Sequence, residues 1–185
     1  CEKNGISVIG ENVKPSELVT VVAKNEVKPD KPLCYIDQTT ADENGKFEFK
    51  FRVENDEFYS VYVYNGTDMK NLYNPNAGYE IKISYLINDV PCIDLSKLKN
   101  GDKVRAVLNI QNKSADDNLT FYAVMRTKNS SVIAINMADI LWNNENKSEI
   151  SMDFAVENGS LITSADYYLW DNSQRAVIPN TKIAK

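Results

Sequence analysis

Carboxylates are the one reactive group this chain holds in quantity. Its 185 residues carry 26 Asp and Glu against 21 Lys and Arg, three Cys and no His. Without an imidazole there is no Ser-His-Asp or Cys-His nucleophile, no His-ligated zinc and none of the commonest general base. Carboxylate, Lys or Tyr chemistry remains. Its natural form is a glycosidase-type acid pair, one carboxyl held protonated and one ionised across a scissile bond. The acids fall elsewhere. Glu48 and Asp153 alternate onto the solvent faces of expected strands, and Asp42-Glu43 and Asp116-Asp117 lie in expected turns, which Asp helps to build. No catalytic residue is nominated, and the chain by itself is not expected to be an enzyme.

The cysteines, Cys1, Cys34 and Cys92, have no CxxC spacing and form neither a disulfide framework nor a zinc site. Cys34, inside Leu33-Cys34-Tyr35-Ile36, reads as a small buried thiol. A Cys34–Cys92 bridge would have to span the two halves of the chain and bring the Cα atoms within about 7 Å. Two loops, Asp42-Glu43-Asn44-Gly45 and Asn143-Asn144-Glu145-Asn146, offer the oxygens a calcium ion takes. Neither matches an EF-hand loop and turn chemistry explains both. No metal or cofactor is expected.

Aromatic rings flanked by amides are the remaining binding vocabulary, since a ring face stacks on a pyranose while amides bond its hydroxyls. Trp142 adjoins Asn143 and Asn144. Alternation places Tyr62 and Tyr64 opposite Val61 and Val63, and Tyr168 and Trp170 opposite Tyr167 and Leu169, so each pair is a candidate for an outward row. The competing reading is cross-strand packing in a core. The nominated contacts for a ligand are Trp142, Asn143, Asn144, Tyr62 and Tyr64.

The net charge of −5 and the absence of a basic cluster exclude a nucleic-acid partner. The Lys46, Lys50 and Arg52 face reads as solvated strand surface. No apolar run approaches the roughly 20 residues of a membrane span, so membrane insertion is not expected. Six Asn-X-Ser/Thr triplets match chance in a chain this rich in Asn, Ser and Thr.

The elements that must position these residues are strands. Phe47, Phe49, Phe51 and Val53 alternate with Lys46, Glu48, Lys50 and Arg52, the period of a half-buried antiparallel strand. Further strands are expected at 6–9, 18–23, 33–38 and 58–64, then at 79–85, 103–111, 119–127, 131–136, 149–156 and 165–170. Residues 137–142 are expected as a short helical turn. Five of seven glycines follow Asn, at Gly5, Gly45, Gly66, Gly101 and Gly159, and Asn-Gly suits the type I′ hairpin turn. Asn74-Pro75-Asn76-Ala77-Gly78 reads as a linker. The expected layout is all-β: two consecutive immunoglobulin-like antiparallel β-sandwiches, 1–73 and 79–185, joined by 74–78.

Two segments carry a family likeness. Tyr35 to Phe49, with Asp37-Gln38-Thr39-Thr40 leading through Asp42-Glu43-Asn44-Gly45 into an alternating Phe strand, resembles bacterial immunoglobulin-like modules of secreted Gram-positive proteins. Ala165-Asp166-Tyr167-Tyr168-Leu169-Trp170-Asp171-Asn172 is similar to the close of another β-sandwich module. That module commonly ends extracellular polysaccharide-degrading enzymes and surface proteins of anaerobic Gram-positive bacteria. Asn172 stands where that motif has Ser, and Ala176-Val177-Ile178-Pro179 replaces its usual Met-Lys-Pro-like run. The resemblance implies a non-catalytic accessory pair cut from a larger secreted or cell-surface protein, among the glycan-acting enzymes. Its partners would be the other modules of that polypeptide and polysaccharide, with a stalk or adhesin lacking sugar affinity as the rival. It carries no functional residues over.

Overall fold

The structure is a computed structural model that describes residues 3–26, 33–54, 59–65, 79–92, 94–112, 118–129, 131–177 and 180–184. The expected linker, 74–78, lies outside the described residues, as does Phe58. The elements run β1 (Lys3–Gly10), β2 (Leu18–Asn25), β3 (Leu33–Thr40), β4 (Phe47–Glu54), β5 (Tyr59–Asn65), β6 (Tyr79–Ile87), β7 (Val90–Cys92), a 3₁₀ turn (Leu95–Lys97), β8 (Lys103–Asn112), β9 (Leu119–Thr127), β10 (Val132–Asp139), β11 (Lys147–Ala155), β12 (Ile162–Asp171) and β13 (Thr181–Ala184). The protein is all-β, with every strand pair antiparallel. Among the described residues no helix is long and apolar enough to cross a membrane.

Four sheets form: β1-β4, β3-β2-β5, β10-β9-β12-β13 and β11-β8-β6-β7. They stack as layers with three cores between them. Val19, Val21, Ala23, Tyr35, Phe49 and Phe51 fill the space between β1-β4 and β3-β2-β5, with Tyr35 and Phe51 stacked 4.2 Å apart. The largest core lies between the sheets of β6–β13, around Tyr85, Leu108, Phe121, Met125, Phe154 and Tyr167. A third core joins these two bodies: Leu18, Val22 and Ile36 meet Tyr122, Val124, Tyr168 and Trp170.

That third core changes two expectations. Tyr168 and Trp170 do not form an outward row; they are 1% and 0% exposed. Alternation turns one row to solvent only in a one-sided sheet, but β3-β2-β5 covers the outer face of β9 and β12, so both faces of those strands are interior. A strand buried on two sides reads as a nearly continuous apolar run, as Tyr167-Tyr168-Leu169-Trp170 does. The helical turn expected at 137–142 is also absent. Met137, Ala138 and Asp139 pair with Tyr122, Phe121 and Thr120, and the Ile140 N–H bonds the Leu119 carbonyl, so β10 extends along β9.

Turn chemistry is more uniform than the Asn-Gly pairs suggest. Three hairpins, Asp42–Lys46, Asn143–Lys147 and Asp171–Arg175, share one construction. In each, the first side chain accepts two main-chain N–H groups, from the residues two and four places on. Its own N–H bonds the fifth residue's carbonyl, and the fourth residue takes positive φ: Gly45 at 72°, Asn146 at 57° and Gln174 at 62°. In the two loops nominated for calcium, Asp42 Oδ1 and Asn143 Oδ1 are thus committed to main chain. Among the described residues, the two-residue turn with positive φ at both positions is Asn88-Asp89, at 50° and 65°, linking β6 to β7, and Gly66 of Asn65-Gly66 lies outside them. Gly5, expected in a turn, lies inside β1 opposite Arg52.

Candidate functional site

Two places in the fold gather polar side chains. The first is an open groove of about 610 Å³ at one end of the β6–β13 body. The register sets its chemistry. Glu80, Gln111 and Lys147 lie side by side across β6, β8 and β11, and Lys82, Asn109 and Glu149 form the next row. Each row has an amide in the centre with an acid on one side and a base on the other, in opposite order. Asp139 at the end of β10, with Leu141 and Asn143 of the β10–β11 connection, also lines it. Leu141 is 80% exposed.

Such a surface pairs donors with acceptors around a neutral centre, which suits a polyhydroxylated ligand better than a point charge. Three carboxylates, Glu80, Asp139 and Glu149, border it, and Asp139 accepts a hydrogen bond from Thr120 Oγ1 at 2.8 Å. Acid catalysis on a glycoside asks for one carboxyl withdrawn from water; all three here stand exposed. Among the described residues no three Asp, Glu or Cys side chains gather as metal ligands.

The nominated ligand contacts separate. Asn143 borders the groove, but its Oδ1 is held by the Glu145 and Lys147 N–H groups at 2.9 and 3.0 Å, which leaves the amide nitrogen for a ligand. Asn144 is exposed beside it. Trp142 is half-buried against the β6–β13 core. Tyr62 and Tyr64 sit on β5 in the other body, where Tyr64 packs on the third core and Tyr62 is 42% exposed, with Lys24 Nζ 5.3 Å from its ring. The Trp142 loop and the Tyr62/Tyr64 row thus lie on different sheets.

The second gathering is buried and was not read from the sequence. Arg126 of β9 is 3% exposed and lies at the joint between the two bodies. Its Nε donates to Asp166 Oδ2 of β12. One terminal nitrogen donates to the main-chain carbonyl of Ile36 in β3 and to the Tyr168 hydroxyl, the latter at 2.9 Å. Tyr168 passes the chain on, donating to Asp37 Oδ1 at 3.0 Å, while Tyr35 donates to Asp37 Oδ2 at 2.6 Å. The guanidinium also lies 4.9 Å from the Tyr35 ring. Nearby, Trp170 Nε1 donates to Gln38 Oε1 at 3.1 Å, and Thr20 Oγ1 to the Gln174 carbonyl at 2.6 Å.

Burial and charge act in opposition on this cluster. Burial alone would lower the Arg126 pKa; the facing Tyr168, Asp37, Tyr35 and Asp166 outweigh it and raise it. Burial raises the Asp166 carboxyl, against the pull of Arg126. Burial also drives the Tyr168 hydroxyl far above its ordinary value, so it stays a neutral donor and acceptor. One signal of this site was present in the sequence: Arg126 ends a run, Phe121 to Met125, without a polar residue. A charge at a two-sided strand position needs a partner across the layer.

Comparison with protein-family models and with curated proteins returns no match to this chain.

Proposed function

We propose that this chain is a non-catalytic accessory region of a larger extracellular bacterial protein, acting as a stiff spacer between other modules. One observation carries the reading: the joint between the two sheet pairs is a buried apolar core closed by the Arg126 network. A guanidinium with bonds to β3 and β12 at once fixes the relative placement of both bodies, since any displacement strands a buried charge. Free inter-domain motion is the default unless the interface is hydrophobic, as Leu18, Val22, Ile36, Val124 and Trp170 make it here. A spacer that holds its angle presents neighbouring modules at a set distance and raises their effective concentration on an extended substrate.

The parent is read as a glycan-acting enzyme, from the two sequence motifs near Asp37 and Trp170. The groove with its central Asn109 and Gln111 supports weak contact with a neutral polysaccharide. NMR relaxation on the isolated chain tests the spacer: β4 and β8 amides sharing one rotational correlation time agree with it, and two distinct times refute it. A glycan array, run beside Asn109→Ala and Trp142→Ala, tests the sugar contact. Absence of any hit across plant, host and microbial glycans leaves the stalk reading, with no sugar affinity.

A further inference from the structure

Among the described residues, six of the eight edge strands in the four sheets are guarded, and β1 and β5 are not. β11 presents exposed Lys147, Glu149 and Asp153; β4 presents Glu48, Lys50 and Arg52; β7 is three residues long and contains Pro91; β13 is four residues long and carries Lys182. β10 is broken by a register shift between Val132 and Ala134, and β3 carries Asp37 and faces a shift at Ala23/Lys24. Charge, proline, brevity and bulges are the devices that keep edge strands from pairing with other chains.

β5 has none of them. Its seven residues, Tyr59-Ser60-Val61-Tyr62-Val63-Tyr64-Asn65, contain no charge, no Pro and no Gly, and its register with β2 runs unbroken from Tyr59 to Asn65. Among the described residues β2 is its one neighbour. It also overhangs both adjoining layers. Val61 and Val63 sit opposite Ala23 and Val21, which are fully buried, yet they are 36% and 39% exposed. On the other face Tyr62, opposite the buried Val22, is 42% exposed. Three consecutive large side chains, on two faces, stand partly exposed, Tyr62 with Lys24 Nζ over its ring.

We propose that β5 is a self-association strand, pairing antiparallel with β5 of a second copy of this chain about a two-fold axis at Tyr62. The strand's own pattern selects that occupant. Centred on Tyr62, each Val61 faces a Val63 of the other copy and each Ser60 a Tyr64, so β-branched residues meet on one face and Tyr62 meets itself on the other. Such cross-strand pairs stabilise antiparallel sheets, and no like charges oppose one another. Pairing joins two three-stranded sheets into one continuous sheet. It also covers the overhang that each body leaves alone.

Sedimentation velocity from about 10 μM to about 1 mM, with hydrogen exchange of the β5 amides at both ends of that range, tests this. The expected result is a concentration-dependent dimer whose β5 amides gain protection as it forms. Val63→Lys, whose side chain already reaches solvent, should weaken the dimer by about tenfold or more. Val90→Lys, at a more solvated site on β7, should leave it unchanged. Tyr62→Lys repeats the test at the axis should Val63→Lys lose the wild-type circular-dichroism spectrum. A monomer throughout, a dimer indifferent to both β5 variants, or β5 protection that does not change with concentration each overturns the proposal. The last outcome would place another segment of this chain on that edge.

Discussion

Arg126 in β9 donates a hydrogen bond to the main-chain carbonyl of Ile36 in β3, ninety residues earlier in the chain. The same guanidinium holds Asp166, so it ties the middle two sheets together. Replacing it by Met leaves the Asp166 carboxylate buried without a counter-charge, a loss of about 3–5 kcal/mol. Arg126→Met with Asp166→Leu removes both charges and should recover much of that loss. Urea denaturation of the two variants measures the difference. Equal destabilisation by both would mean that the pair's charge is not what matters.

The hairpins give a prediction of opposite signs. Asn146 adopts positive φ, where glycine carries no Cβ penalty, so Asn146→Gly should stabilise by about 0.5–1 kcal/mol. Gly45 has the same backbone, and a Cβ there would meet the Val13 carbonyl oxygen at 2.0 Å. Gly45→Ala should therefore destabilise by more than Asn146→Gly stabilises. Thermal melts of the two variants give the comparison.

Cys34 and Cys92 are free thiols, each half-buried and in different bodies, so no bridge spans the chain. The Cys34 Sγ donates to the Ala23 carbonyl at 3.1 Å, and burial pushes its pKa up to about 11. Because the thiolate is the reactive form, Cys34 should resist iodoacetamide at pH 8 and react faster as pH rises toward 11. Mass spectrometry of native protein over that range reads it. Rapid labelling at pH 8 would contradict the burial. The sign for stability follows: an acid raised on folding favours the native state least once pH passes its ordinary value, so this contribution falls as pH climbs from 9.

At the acid end the sign reverses. Asp102 is held below its ordinary value by the Lys99 N–H and Asn88, and Asp153 by Arg105. Carboxyls depressed on folding add stability that is present above their ordinary values and is lost as pH falls through the folded ones. Stability should thus drop below about pH 4, and Asp102→Asn should flatten that limb. Denaturant midpoints from pH 6 to pH 2 check it.

How much of this was legible in the chain depends on what each pattern encodes. The Phe47-Phe49-Phe51 alternation gave β4 and its buried face, because one side of β4 meets a core and the other meets water. It misplaced Tyr168 and Trp170, since alternation says which residues share a face but not whether a further sheet covers it. Asn-Gly pairs overstated the type I′ turn: what the hairpins use is a side-chain oxygen at the first position, so Asp171–Arg175 went unread while Asn4-Gly5 was over-read. For the Arg126 cluster the chain records only a charge at the end of an apolar run, and none of its partners. Its members, at 35–37, 126 and 166–168, are brought together by layer stacking, and no spacing along the chain records that. The groove's alternating rows come from strand register, which the sequence does not state either.

The account's central claim is that the two sheet pairs behave as a single body across the Arg126 joint. Urea unfolding followed by residue-resolved NMR intensities in β2 and in β8 tests it most directly. The account predicts one shared midpoint for both strands in the wild type, with separation appearing only in Arg126→Met. Loss of β2 signals well before those of β8 in the wild-type protein would contradict it.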